Sequence, residues 1–352
     1  EPVVLDASGR LVTPGLVDAH THLIFAGERS EEFHLRHADA SYEEIQARGG
    51  GIAATMRATR DATDTELLDL ARRRLLTMRR HGTTTAEAKS GYGLNRATED
   101  RLLASAARLA SEPGLPRVIP TFLGAHVVPP EFKDDRDAYV ALVRDEWLPA
   151  FAGRARFCDV FCERNAFTPD ETRSILTAAR GLGYHLKLHA NQLGDSGGAA
   201  LAAELGAVSA DHLDHASDAD LERLAATGVL AVLLPGCSFT LDTPYPQARR
   251  YLEHGLHVAL ATDFNPGTSY CESLQMMVTL AVAHMGMTIE EALIAVTRRG
   301  AEALALDDAG VIAPGKRCDL VLWQCRSHAE LGYHFGVNLV DTVIIGGESV
   351  TG

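Results

Sequence analysis

The chain has 352 residues, 46% of them hydrophobic, and a formal net charge of −14. That length supplies one large core and exceeds an ordinary small domain, while the acidic balance argues against nucleic acid or an anionic membrane as the main partner. Six cysteines, at 158, 162, 237, 271, 318 and 325, form no CxxC pair and no dense framework, so a reduced, cytoplasmic protein is expected, and no apolar stretch is long enough to span a bilayer.

In chain order, Pro2-Val3-Val4-Leu5 is already strand-like, with no charged-then-apolar leader, so further residues are expected upstream. Val3–Asp6 and Arg10–Thr13 read as short strands around the turn Asp6-Ala7-Ser8-Gly9. Eight β-rich apolar segments follow: Gly15–His22, Thr83–Ala88, Arg117–Ala125, Phe157–Glu163, His185–His189, Ser209–His212, Val229–Leu234 and His257–Thr262. Amphipathic stretches lie between them, such as Glu99–Leu109, Pro169–Arg180, Gly197–Leu205, Ala219–Ala226 and Pro246–His254, several opened by Asp, Ser, Thr or Pro as helix starts. Tyr270–Met285 and Ile289–Ala303 read as closing helices, and Asp319–Gln324 and Asp341–Ile345 as short strands.

Alternating strand and helix imply a parallel sheet, and eight repeats imply an α/β fold closed into a (β/α)8 TIM-like barrel over residues 14–307. Residues 1–13 and 308–352 are expected to meet in a small β-sandwich, truncated at its N-terminus. An open doubly wound sheet is the weaker alternative, since no Gly-x-Gly-x-x-Gly follows the first strand.

Barrel enzymes place their reacting groups at the C-terminal ends of the strands. The first strand ends in His20 and His22, which share a face because side chains alternate along a strand; the fifth ends in His189, the sixth in His212 and the eighth in Asp263. A lone His-x-His arises by chance on many surfaces. Three imidazoles and a carboxylate gathered at one barrel mouth are what a catalytic zinc or iron ion requires, with a position left for water. The bland alternative for Asp263 is a turn cap before Asn265-Pro266-Gly267. His34, His37, His81, His254, His257, His284, His328 and His334 are assigned to structure or solvent, His185 to the core, and His215 is second choice to His212. Lys187 shares parity with His189 and is expected in a buried pair with Glu87 or Glu163; Cys158 and Cys162 are expected as core thiols. Gly49-Gly50-Gly51 reads as a lid hinge or an ordinary turn.

These segments resemble the amidohydrolase superfamily and, within it, the imidazolonepropionase family. The narrower resemblance rests on Phe25-Ala26-Gly27-Glu28-Arg29-Ser30-Glu31-Glu32-Phe33, Ala47-Arg48-Gly49-Gly50-Gly51-Ile52 and Glu87-Ala88-Lys89-Ser90-Gly91-Tyr92-Gly93-Leu94. Thr121-Phe122-Leu123-Gly124-Ala125-His126, Leu188-His189-Ala190-Asn191-Gln192 and Thr262-Asp263-Phe264-Asn265-Pro266-Gly267-Thr268 complete it.

The resemblance implies a histidine-degrading hydrolase in which water opens the cyclic amide of 4-imidazolone-5-propanoate to N-formimidoyl-L-glutamate. It implies one metal ion per subunit, Zn2+ or Fe3+, on His20, His22, His189 and Asp263, because dinuclear relatives use a modified lysine at strand four and this strand ends Phe161-Cys162-Glu163. Asp263 would carry the water proton to the departing nitrogen, and His212 would donate to the carbonyl oxygen. Gln192 stands where some relatives carry Glu; an amide exchanges no protons at neutral pH, so it enters the set as a hydrogen-bonding group. Substrate contacts are expected from Arg29, Tyr92, His126, Gln192, Asn265, Gly267 and Thr268, with Arg29 forking onto the substrate carboxylate. For Arg29 the alternative is a surface pair with Glu31 or Glu32, and for Asn265, Gly267 and Thr268 a simple turn. A homodimer is expected, with a small-molecule substrate and no nucleic-acid or membrane partner. The competing activities are a mononuclear deaminase of a heterocyclic amine and a non-catalytic barrel scaffold.

Overall fold

Parity and apolar runs produce the expected strands. The computed structural model, which describes residues 4–38 and 50–350, pairs Leu11–Pro14 (β1) with the far end of the chain and then runs eight parallel strands in sequence order. These are Leu16–Asp18 (β2), Thr83–Lys89 (β3), Arg117–Ala125 (β4), Phe157–Cys162 (β5), His185–Ala190 (β6), Ser209–His212 (β7), Leu230–Leu233 (β8) and Val258–Leu260 (β9). The ladder of β2 stops at Asp18, four residues short of the expected strand end. Beyond it the backbone serves two neighbours at once: Lys89 N–H donates to Thr21 O at 3.0 Å, while His22 N–H donates to Phe264 O at 2.9 Å and Asp263 N–H to His20 O at 3.1 Å. Those last bonds, with a bridge between Thr21 and Phe264, draw β9 to β2 and close the barrel at its C-terminal mouth.

Helices start where the sequence marks them. Thr63 with Glu66, Thr168 with Glu171, Ser217 with Asp220 and Thr288 with Glu291 each form a reciprocal capping box. The expected closing helix over 289–303 is two pieces, Ile289–Ala295 and Arg298–Ala303. The break frees Val296 O to accept Val17 N–H at 2.8 Å, which ties this segment to the first barrel strand. Gly300 lets the second piece seat there, since a Cβ on it would fall 2.6 Å from Val17 O.

The two chain ends meet as expected, in one antiparallel sheet of order β1, Leu320–Trp323 (β10), Val340–Ile345 (β11) and Glu348–Ser349 (β12). Among the described residues there is no second sheet facing it. Val4–Asp6 forms no strand, because Asp6 Oδ1 turns the chain by accepting Ser8 N–H at 2.9 Å. Trp323 is buried under this sheet and donates Nε1–H to Thr13 Oγ1 at 2.9 Å. Cys158 and Cys162 are buried thiols and all six cysteines are free. His185 is exposed rather than in the core: it opens β6 at the end of the strand remote from His189, its ring tilted against that of Phe157. No described helix is long and apolar enough to cross a membrane.

Candidate active site

The donors expected at the strand ends converge. His20 Nε2 lies 3.4 Å and His22 Nε2 3.6 Å from Asp263 Oδ1, and His189 Nε2 lies 3.4 Å from His22 Nε2. His20, His22 and His189 offer ligand atoms within 4.8 Å of one another, and so do His20, His212 and Asp263. The turns that aim them inward are left-handed at non-glycine residues: Asn191 (φ 51°), His212 (φ 76°), Leu213 (φ 61°) and Asp263 (φ 50°). Such backbone costs about 1–3 kcal/mol per residue and persists where surrounding structure demands it. His215, the second choice, is exposed.

The chemistry of this donor set fits a metal ion. Asp211 Oδ2 lies 2.6 Å from His20 Nδ1 and Asp159 Oδ1 3.1 Å from His189 Nδ1, which places each shared proton on Nδ1 and leaves Nε2 as a lone pair. His20 Nε2 is buried without a hydrogen-bond partner, yet it faces a carboxylate oxygen. Burial lowers the pKa of His20, His22 and His212 well below the usual imidazole range and lifts the Asp263 carboxyl to about 8. Imidazole nitrogens and a carboxyl group brought together in the interior form the donor set that a cation would reconcile.

Below the imidazoles lies an ionic floor that sequence reading largely missed. Lys89 Nζ donates to Asp159 Oδ2 at 2.6 Å and pairs with Glu87 Oε2 at 2.9 Å. Lys187 Nζ donates to Ala19 O at 2.7 Å and pairs with Glu87 Oε2 at 3.2 Å. Both ammonium groups approach Asp211 Oδ2, at 3.7 and 3.5 Å, and all five charged side chains are fully buried. Lys187 thus takes Glu87 of its two expected partners; Glu163 instead accepts Gln192 N–H at 2.6 Å and Leu193 N–H at 3.0 Å. Burial works against a charged Lys89, but Asp159, Glu87 and Asp211 outweigh it and raise its pKa. The overlooked signal was a charged residue alternating with apolar ones inside a barrel strand, as in Glu87-Ala88-Lys89, Cys158-Asp159-Val160 and Ser209-Ala210-Asp211.

The expected substrate residues ring the same mouth. His126 stacks on His22 with ring centroids 5.3 Å apart, and its Nδ1 lies 3.0 Å from Gly91 O. Tyr92 is buried, its ring centroid 5.7 Å from that of His22 and 5.3 Å from that of His126. Its loop is held by the buried Glu99 carboxylate, which accepts N–H from Gly91, Gly93 and Leu94 at 3.0, 2.8 and 2.9 Å. Gln192 Nε2 lies 3.7 Å from Cys237 Sγ. Asn265 spends its amide on the turn: Nδ2 donates to Asp263 O and Thr268 Oγ1, and Oδ1 accepts Gly267 N–H and Thr268 N–H, all at 2.6–2.8 Å. Thr268 Oγ1 is 3.4 Å from Asp263 Oδ2. Arg29 lines a cleft with Glu28, Arg36, Gly267 and Tyr270, and its Nε and Nη2 hold Glu32 at 2.8 and 2.7 Å, one of the two alternative partners. Of the glycine hinge, Gly49 lies outside the described residues and Gly51 (φ 79°) caps the helix Ile52–Asp61.

A model of the amidohydrolase family matches residues 11–350. The imidazolonepropionase of Symbiobacterium thermophilum is 49% identical, over 97% of this chain and 81% of its own length. The chain belongs to the amidohydrolase family, and within it to the imidazolonepropionases. The enzyme of that name from Geobacillus thermodenitrificans is 48% identical over 99% of this chain and 83% of its own. Among solved structures, 5-methylcytosine deaminase from Klebsiella pneumoniae liganded with 5-fluorocytosine superposes with a TM-score of 0.79 at 17% identity, covering 100% of this chain and 90% of that one. Atrazine chlorohydrolase from Arthrobacter aurescens TC1, complexed with zinc, gives 0.66 at 18% identity over 97% of this chain and 83% of that one. At those identities the likeness is one of fold. Membership of the family and the His/Asp clusters together support a metal cofactor for this chain.

Proposed function

We propose that this imidazolonepropionase-family chain hydrolyses the cyclic amide of 4-imidazolone-5-propanoate, giving N-formimidoyl-L-glutamate. The observation that carries the reading is the convergence of His20, His22, His189 and Asp263 beside the cleft of Arg29, joined to it by the turn from Asp263 to Thr268. Those four residues would hold one ion, Zn2+ or Fe3+. Such an ion supplies Lewis acidity and brings the pKa of water into the neutral range.

The protein's own groups do the rest. Arg29 binds the propanoate carboxylate and fixes which face of the ring meets water. Asp263 accepts the proton of the attacking water and returns it to the ring nitrogen as the C–N bond breaks. His212, buried and neutral, keeps one N–H to donate to the carbonyl oxygen as charge gathers there. Tyr92 and His126 pack against the ring, while Gln192, Asn265, Gly267 and Thr268 offer polar contacts around it. The reading includes a barrel unit over 14–307 with a terminal unit of 1–13 and 308–352, paired subunits and a cytoplasmic setting.

The test is ring opening of imidazolone propanoate by metal-loaded protein, with its metal content measured in parallel. Stoichiometric metal and formation of N-formimidoyl-L-glutamate are expected. Ammonia release from heterocyclic amines with imidazolone propanoate untouched would transfer the chain to the deaminases; a metal-free, inactive protein would make it a scaffold.

A further inference from the structure

Two guanidinium groups close on the backbone of Gly267. Arg36 stands seven residues after Arg29 along the helix Ser30–His37, so the two share a face. Arg36 Nη2 donates to Gly267 O at 2.8 Å, and a Cβ placed on Gly267 would fall 2.4 Å from Arg29 Nη1. Both arginines line the cleft beside the donor cluster.

The nearby carboxylates leave Arg36 undersupplied. Glu32 is spent on Arg29 Nε and Nη2 and, through Oε1, on Gly51 N–H at 2.8 Å. Glu28 is exposed and accepts Ser30 N–H at 2.8 Å. Arg36 Nε is buried and has no hydrogen-bond partner among the described residues. A buried guanidinium N–H without an acceptor is rare and unfavourable, and here it lies beside a second cation. Burial and then the neighbouring Arg29 both lower the pKa of Arg36, as two positive groups crowded around one site would.

We propose that Arg36 is a second recognition residue for the substrate's carboxylate arm, its Nε–H taking one carboxylate oxygen while Arg29 Nη1 takes the other. The inference rests on the hydrolase reading above and deepens it. It makes selection between an acidic and a neutral side arm a property of a two-arginine clamp on Gly267, not of Arg29 alone.

The experiment compares wild type and Arg36→Gln, both metal-loaded, in ring opening of imidazolone propanoate and in inhibition by imidazole-4-propanoate and the neutral imidazole-4-propanamide. In the variant, KM and the propanoate inhibition constant should rise about 10- to 100-fold, the range expected for one lost charge-assisted hydrogen bond. The kcat and the propanamide inhibition constant should stay within about threefold, as for loss of uniform binding. An unchanged propanoate constant, or equal weakening of propanoate and propanamide, would overturn the proposal. Should Arg36→Gln fail to fold, Arg36→Lys keeps the charge without the fork and should weaken propanoate alone; unaltered discrimination in that variant would also overturn it. If wild type opened no ring, the hydrolase reading would fall by itself, and the ratio of propanoate to propanamide dissociation constants, measured by direct binding to wild type and Arg36→Gln, would still decide the role of Arg36.

Discussion

Beneath the imidazoles, Glu87, Lys89, Asp159, Lys187 and Asp211 are wholly buried and satisfy one another and the histidines. At the rim, Arg29 and Glu32 keep 14% and 13% of their side chains exposed, and one of the two arginines retains an unmatched donor. The floor is complete without a ligand and fixes where the donor nitrogens point. The rim is incomplete, and its unmet hydrogen-bonding capacity is available to a substrate. Loss of a partner in the floor should therefore be felt in stability and metal binding, and loss of a partner at the rim in substrate affinity.

Four substitutions sharpen or break that contrast. Asp263→Asn, at the junction of floor and rim, should lower kcat by at least about 1,000-fold, because ligation and proton transfer fail together; activity within tenfold of wild type would remove Asp263 from the chemistry. Lys89→Met takes one of the two shared ammonium groups away from the buried Asp159, Glu87 and Asp211 and should destabilise the fold by about 3–5 kcal/mol, read from denaturant unfolding. A change below about 1 kcal/mol would mean the floor is not a coupled network. Asp211→Asn keeps the shape but releases the His20 ring, so metal affinity should fall about 10- to 100-fold with the fold intact, measured by competition with a chelator. Arg29→Ala should raise KM about 10-fold or more with little change in kcat and under about 1 kcal/mol in stability, as befits a partly exposed pair. An unfolding penalty as large as that of Lys89→Met would erase the distinction between floor and rim.

Most strand positions were legible because each barrel strand is a short apolar run between helix signals; β4 and β7 occupy the segments their residues predict. The convergence of the candidate donors was legible too, since alternation puts His20 and His22 on one face and topology brings every strand's end to one mouth. Arg29 was visible as a cation but not by its partner: Glu31 and Glu32 lie two and three positions on, and the helix from Ser30 brings the i,i+3 residue, Glu32, against the guanidinium.

By itself, then, the order of residues determined the alternation of strand and helix, the faces of the histidines and the supply of one carboxylate at the eighth strand, because these follow from local periodicity. Tertiary structure alone decided that His20 leans on Asp211, 191 positions away, that His189 leans on Asp159, and that two lysines share their carboxylates. It also decided that the chain ends make a single sheet and that the helical segment 289–303 breaks to tie Val296 to the first barrel strand. The reason is physical: buried charges must find partners, and closure of the barrel determines which ones lie within reach.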